Sequence, residues 1–275
     1  MTILDCRGRP LDLSRTAIMG ILNVTPDSFA DGGNFFAPAK AVAHAHDMVA
    51  QGAAIIDVGG ESTRPGAQPV SAQQELERVL PVIERLVKEI PVPISIDTSK
   101  PEVMRAAVAA GAGFINDVNA LRADGALDAA AELNVPVCLM HMQGEPRGMQ
   151  NDPRYDDVVT DVRDFLAARV HAAEAAGIPR RQLVLDPGFG FGKALAHNMA
   201  LLRGLNAIAA LGLPVLAGLS RKSMIGKALG LSLDQRLHAS VALAVVAVQN
   251  GARILRVHDV APTVQAIRMW EAVRE

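Results

Sequence analysis

Short apolar runs alternate with longer helical stretches along the whole chain, and the alternation repeats eight times. The runs fall at 18–23, 55–58, 94–98, 114–117, 137–140, 183–186, 215–219 and 254–257. Each is continuously apolar, the pattern of a parallel strand buried on both faces. The stretches between and after them, 37–51, 72–89, 101–110, 125–133, 157–176, 194–211, 233–250 and 260–274, read as helices. Parallel neighbours need such crossovers, and eight βα units are the number that closes a barrel. Gly52-Ala53, Gly111-Ala112 and Gly251-Ala252 mark three helix-to-strand joins, where the helix C′ position often requires positive φ. Residues 1–15 stand outside the repeat and read as a short hairpin over the barrel bottom. The expected fold is α/β: a single (β/α)8 TIM barrel with a short N-terminal hairpin, one domain over 1–275.

A doubly wound sheet would place phosphate-binding glycines after the first strand, where this chain has Thr25-Pro26-Asp27. Composition narrows the function. Half of the residues are hydrophobic and 20% are charged, enough to bury roughly three quarters of the unfolded surface without covalent staples. A net charge of -2 and 3% aromatic residues give no footprint for nucleic acid, while small anions need only local positive charge. Cys6 and Cys138 have no partner at metal or redox spacing and read as free thiols in a reducing compartment. With no leader-like segment and no apolar run of about 20 residues, the cytoplasm is the expected location.

The polar residues gather where a barrel keeps its chemistry. The C-terminal strand ends carry Asn23, Asp57, Asp97, Asn116, Met140-His141, Asp186, Lys222 and His258, and in a barrel these ends converge on one mouth. Asn23 opens a long polar loop and offers a neutral oxygen suited to Mg²⁺ that also holds phosphate oxygens and waters. In the loop from Asp57 to Ala67, two glycines allow close backbone approach while Thr63 and Arg64 supply donors for anions. Asp97 and Asp186 stand in apolar runs, where an ionised carboxylate is costly unless bonded. With Asn116 they are suited to reading the donor edge of an aminopyrimidinone-like ring.

The stretch from Gly188 to Lys193 is glycine-rich but is no P-loop, which needs Gly at Pro187 and Ser or Thr at Ala194. It reads as a tight catalytic-face loop that places Phe191 against a flat ligand. Lys222 and Ser223 open a short helix suited to a carboxylate or phosphate. Arg221 and Lys227 read as solvated charges. Arg256 and His258 share one side of the last strand and form a candidate anion clamp. His44, His46, His171, His197 and His238 carry no metal pattern, Cys138 is too buried to be a nucleophile, and the role of His141 stays open.

Seven segments together closely resemble dihydropteroate synthase of the bacterial folate pathway: GILNVTPDSFADGG, DVGGESTRPGA, SIDTSKPEV, LMHMQG, LDPGFGFGK, LSRKSMIG and RVHDV. They stand in family order on the expected strand ends, from Ile18 to about Val260. The resemblance implies a transferase that joins 6-hydroxymethyl-7,8-dihydropterin diphosphate to p-aminobenzoate and releases pyrophosphate, with Mg²⁺. It implies pterin binding by Asp97, Asn116, Asp186 and Lys222, stacking by Arg256, and a lining of Met140, Gly218 and Phe191. Asn23, Thr63, Arg256 and His258 would surround the diphosphate, with Mg²⁺ near Asn23. Phe29, Thr63, Arg64, Pro65, Lys222 and Ser223 would form the p-aminobenzoate side, and the family forms homodimers. The catalytic group would be Asp97, Lys222, Arg256 and His258, with no covalent intermediate. Two other readings keep a pterin-binding barrel: corrinoid-dependent methyl transfer, which would not need the Arg256–His258 clamp, and a catalytically silent paralogue.

Overall fold

The computed structural model describes residues 3–25, 37–62, 68–144 and 148–274. Phe29, Thr63, Arg64 and Pro65 lie outside these described residues. Eight parallel strands close into a barrel: β3 (Ala17–Asn23), β4 (Ile55–Gly59), β5 (Ile94–Asp97), β6 (Phe114–Asp117), β7 (Val137–Met140), β8 (Leu183–Asp186), β9 (Val215–Ala217) and β10 (Ala252–Val257). They follow one another in chain order, and β10 pairs with β3 to complete the ring. The helices α1 (Ala37–Ala50), α2 (Ala72–Glu89), α3 (Pro101–Ala109), α4 (Ala126–Leu133) and α5 (Val158–Ala175) provide the first five crossovers. α6 (Leu195–Arg203), α7 (Leu205–Ala209), α8 (Ser223–Leu229), α9 (Leu237–Gln249) and α10 (Val260–Arg274) complete the outer layer.

The expected glycine joins behave as their chemistry requires. Gly52, Gly111 and Gly251 have φ of 100°, 116° and 108°, which side chains with a Cβ adopt only under strain. The helix expected over 194–211 is in fact two, α6 and α7, divided at Gly204. A Cβ there would stand 2.7 Å from the side chain of Val159, so the glycine lets α5 pack closely. The stretch expected as one helix over 233–250 begins with a 3-10 turn, Leu233–Gln235, before α9.

The N-terminal hairpin, β1 (Ile3–Asp5) with β2 (Pro10–Asp12), closes the barrel bottom as expected. Leu4, Cys6, Leu11 and Leu13 enter one apolar cluster with the inward residues Met19, Phe114, Cys138, Val184, Leu216 and Ile254. Arg9 Nη1 donates to the carbonyls of Ile90 and Val92 at 3.0 Å each, satisfying backbone acceptors just beyond α2. Arg7 does the same for Val108 of α3. The bottom is thereby packed apolar, and the chemistry is left to the opposite end.

Candidate active site

Strand register gathers the polar residues at one level. Asn23 pairs with Gly59, Gly59 with Asp97, and Asp97 with Asn116, so three polar side chains stand on successive strand ends. The glycine between them leaves room: a Cβ on Gly59 would lie 3.8 Å from Asn23 Oδ1 and 3.6 Å from Asp97 Oδ2. Across the barrel, Met140 pairs with Asp186. Gly218 follows β9 directly, and a Cβ there would approach Arg256 to 3.9 Å.

One carboxylate that sequence reasoning gave no role is the hub of this layer. Asp57, wholly buried in β4, accepts from Ser95 Oγ at 2.5 Å, Asn116 Nδ2 at 3.0 Å and Arg256 Nε at 2.6 Å. The bond from Asn116 spends its amide N–H on Asp57, which turns the amide oxygen away as an acceptor for a ligand donor. Arg256 also donates through Nη2 to Asp97 Oδ2 at 2.6 Å, so one guanidinium joins two carboxylates on neighbouring strands. The sequence did carry a signal for Asp57, since an acid inside the apolar run Ile55–Gly59 must be paired.

Charges at the mouth are shifted by burial and by each other. Burial pushes Asp97 up to about 7, with Arg256 opposing and the Asp57 charge adding to the rise. Burial also raises Asp186, opposed by Lys222 and by the Gly188 N–H that donates to its Oδ1 at 2.7 Å. It lowers Lys222 to about 8, with Asp186 pulling the other way. Arg256 loses solvation too, yet Asp57 and Asp97 outweigh that cost and hold it above the ordinary arginine value. Asp57, Asp97 and Asp186 thus face Arg256 and Lys222 at the mouth, and the more distant Lys193 also acts on Asp186.

The loop after β8 seats Lys222. Its ammonium donates to the Phe189 carbonyl and lies 4.4 Å from the centre of the half-buried Phe191 ring. Gly188 and Gly192 have φ of 68° and 62°; a Cβ on Gly188 would fall 1.9 Å from the His141 carbonyl oxygen. These glycines are required by close backbone approach. Met140 forms a small apolar cluster with Met142 and Met149, against which Phe191 packs.

The remaining expected residues lie on the same face. Ser223 is the first residue of α8, whose N-cap is Lys222. His258 follows β10, with Nδ1 3.0 Å from Ser220 Oγ. Arg221 is no freely solvated charge: its guanidinium grips Asp259, Nε to Oδ2 at 2.8 Å and Nη2 to Oδ1 at 2.5 Å. It also holds φ of 55°, so this pair fixes the turn that aims Lys222. Burial pushes the Cys6 thiol up to about 12 and Cys138 well above its ordinary value, which suits packing and not nucleophilic work.

The chain is similar over nearly its whole length to known pterin-binding proteins. Residues 19–258 match the family described as pterin binding enzyme. The dihydropteroate synthase of Escherichia coli strain K12 is 54% identical over 269 residues, covering 98% of this chain and 95% of that one. The dihydropteroate synthase of Xanthomonas albilineans, solved with 4-aminobenzoic acid, superposes with a TM-score of 0.95. It is 57% identical and covers 99% of this chain and 98% of its own. The same enzyme in complex with 7,8-dihydropteroate gives a TM-score of 0.91 at 54% identity, covering 99% and 98%. A closed barrel with acids, an amide and two cations at its C-terminal mouth is thus that of a pterin-binding transferase. Within that class, the chain belongs to the dihydropteroate synthase family.

Proposed function

We propose that the chain joins 6-hydroxymethyl-7,8-dihydropterin diphosphate to p-aminobenzoate by a dissociative displacement at this mouth. The observation that carries the reading is the buried Asp97 carboxylate at the mouth, which shares the Arg256 cation with Asp57 and so keeps negative charge to favour a transient cation in a site of low dielectric. Asp186 and the outward oxygen of Asn116 accept from the N–H edge of the pterin, and Lys222 donates to its carbonyl side. Asp97 faces the methylene carbon and stabilises the positive charge as the C–O bond to the diphosphate breaks. Arg256 and His258 receive the departing pyrophosphate. The aniline nitrogen then attacks the methylene carbon and releases its proton to water, so no enzyme nucleophile is needed.

Mg²⁺ belongs to this reading through Asn23. Among the described residues no group of three or more His, Cys, Asp or Glu is placed to hold a metal ion. A neutral amide oxygen beside the gap at Gly59 instead fits an ion that arrives largely on diphosphate oxygens and water. When bound, Mg²⁺ would supply charge neutralisation to the leaving group.

The homodimer is part of the same proposal. The apolar stretch Val241–Val248 of α9, where Val246 is exposed, is the candidate contributor to contact with a second copy. Among the described residues no helix is long and apolar enough to cross a membrane. The two buried free thiols fit a reducing cytoplasm.

Pyrophosphate release with each substrate omitted in turn, with and without Mg²⁺, tests the function. Release that needs both substrates supports it. Methyl transfer to a corrinoid without pyrophosphate, or no turnover with intact pterin binding, would replace it with another reading.

A further inference from the structure

Lys193 is 2% exposed and takes no part in the chemistry above, yet its ammonium has a full set of acceptors. Nζ lies 2.9 Å from His141 Nδ1, 2.9 Å from the Gly188 carbonyl and 3.1 Å from the Phe191 carbonyl. Three acceptors match the three N–H groups of a lysine cation. Burial and the Lys193 charge push His141 down to about 3, so its ring is neutral. Burial also pushes Lys193 down to about 7, with Asp186 opposing, and when Lys193 is charged the contact makes His141 Nδ1 the acceptor. Phe165 packs edge-on to the same ring, 4.8 Å between centroids.

The two backbone carbonyls belong to the loop that builds the pterin side of the mouth. Between them, Phe189 presents the carbonyl that accepts from Lys222, and Phe191 carries the ring beneath the same ammonium. Gly188, at the loop's start, donates its N–H to Asp186. Asn198 and Tyr155 secure other points, Asn198 Oδ1 accepting from Gly190 N–H and Tyr155 Oη donating to the Gly192 carbonyl, both at 2.7 Å. Gln150 donates to the Gly190 carbonyl, and the Phe191 N–H donates to the Gly188 carbonyl at 3.1 Å. Among the described residues, Lys193 is the side chain that bonds both ends of this segment.

We infer that Lys193 is a positioning residue for pterin binding, acting through the 188–191 loop to set Lys222 while His141 serves as its fixed acceptor. The inference rests on the proposed role of Lys222 in holding the pterin. Lys193 touches no substrate in this account. A preorganised ligand group avoids the cost of being ordered on binding, so loosening the loop should appear as lost affinity.

A double-mutant cycle separates this from a role in packing alone. The affinity of 6-hydroxymethyl-7,8-dihydropterin diphosphate is measured by calorimetry for the parent chain, Lys193→Met, Lys222→Met and the double variant. Lys193→Met should weaken binding about 10-fold in the parent and less than about 2-fold in the Lys222→Met background. Equal losses in both backgrounds, or unchanged affinity in the parent, would overturn the inference. Should Lys193→Met not fold, Lys193→Gln, which keeps N–H donors for the Gly188 carbonyl, goes through the same cycle. If neither variant folds, Lys193 is a core residue only and the inference fails. A parent chain that does not bind the pterin, or a Lys222→Met variant that binds it undiminished, would instead sink the reading of the pocket.

Discussion

Asp97 Oδ2 stands 2.6 Å from Arg256 Nη2, and the same guanidinium is bound by the wholly buried Asp57. Asp97 therefore shares its cation, while burial holds it up to about 7 and holds Lys222 down to about 8. Asp97 is needed as an anion, so activity should rise with pH through about 7. Lys222 is needed as a cation, so activity should fall through about 8. The expected kcat/KM profile against pH is a narrow bell of the free enzyme's groups. Asp97→Asn should remove the acid limb along with most of the activity. A profile flat across both values would show that neither group limits the reaction.

Asp186→Asn should weaken pterin binding while leaving the Gly188 N–H an oxygen to bond. The variant removes a charged acceptor from the ring's N–H donors, and charge-assisted hydrogen bonds contribute roughly 1.5–3 kcal/mol, or roughly 10- to 150-fold in affinity. Calorimetry on the folded variant checks this. Unchanged affinity would remove Asp186 from the pocket.

Glu61, at the C-terminal side of β4, belongs to a three-charge cluster. Lys100 Nζ lies 2.5 Å from Glu61 Oε2 and 2.6 Å from Glu75 Oε2, and Glu75 is wholly buried. Lys100→Met would leave the Glu75 charge uncompensated, at a cost of about 3 kcal/mol. Adding Glu75→Gln should restore part of that stability, because the stranded charge is then gone. Urea unfolding of the single and double variants decides, and a double variant less stable than Lys100→Met would refute the argument.

Sulfonamides carry sulfonyl oxygens on the same aniline where p-aminobenzoate carries its carboxylate. Inhibition should be competitive against p-aminobenzoate and not against the pterin diphosphate, whose proposed place is deeper, among Asp97, Asn116 and Asp186. Ser223, exposed at the start of α8, should shift inhibition more than pterin affinity when substituted. Steady-state kinetics with each substrate varied separately is the check, and competition against the pterin alone would reverse the two pockets.

Much of the fold was legible because it is local. A buried parallel strand must be an apolar run, and Gly52, Gly111 and Gly251 stand where positive φ is required. The close approach of α5 at Gly204 was not legible, since it depends on Val159 of another helix. The same division holds at the mouth. Asn23, Asp97, Asn116 and Asp186 announce themselves as polar residues ending apolar runs. The pairings behind them do not: Asp57 meets Arg256 across 199 positions of chain, and Lys193 meets His141 across 52. Arg221 looked solvated because Asp259, 38 positions away, is brought to it only by the closing of the barrel. Composition and spacing carry the elements, whereas these pairings exist only once the ring is complete.

The packed hairpin beneath the strands has a consequence for traffic. With Leu4, Leu11 and Leu13 filling the floor and Arg7 and Arg9 fastening it to the carbonyls of Val87, Ile90, Val92 and Val108, the tube is blind at one end. Molecules enter and depart through a single door. On the proposed placement, whatever occupies the innermost berth among Asp97, Asn116 and Asp186 should arrive before its partner, whose berth would be nearer the threshold. Once joined, the two would leave as one body, outer half leading. The order of arrivals is thus set by which end of the tube is stoppered.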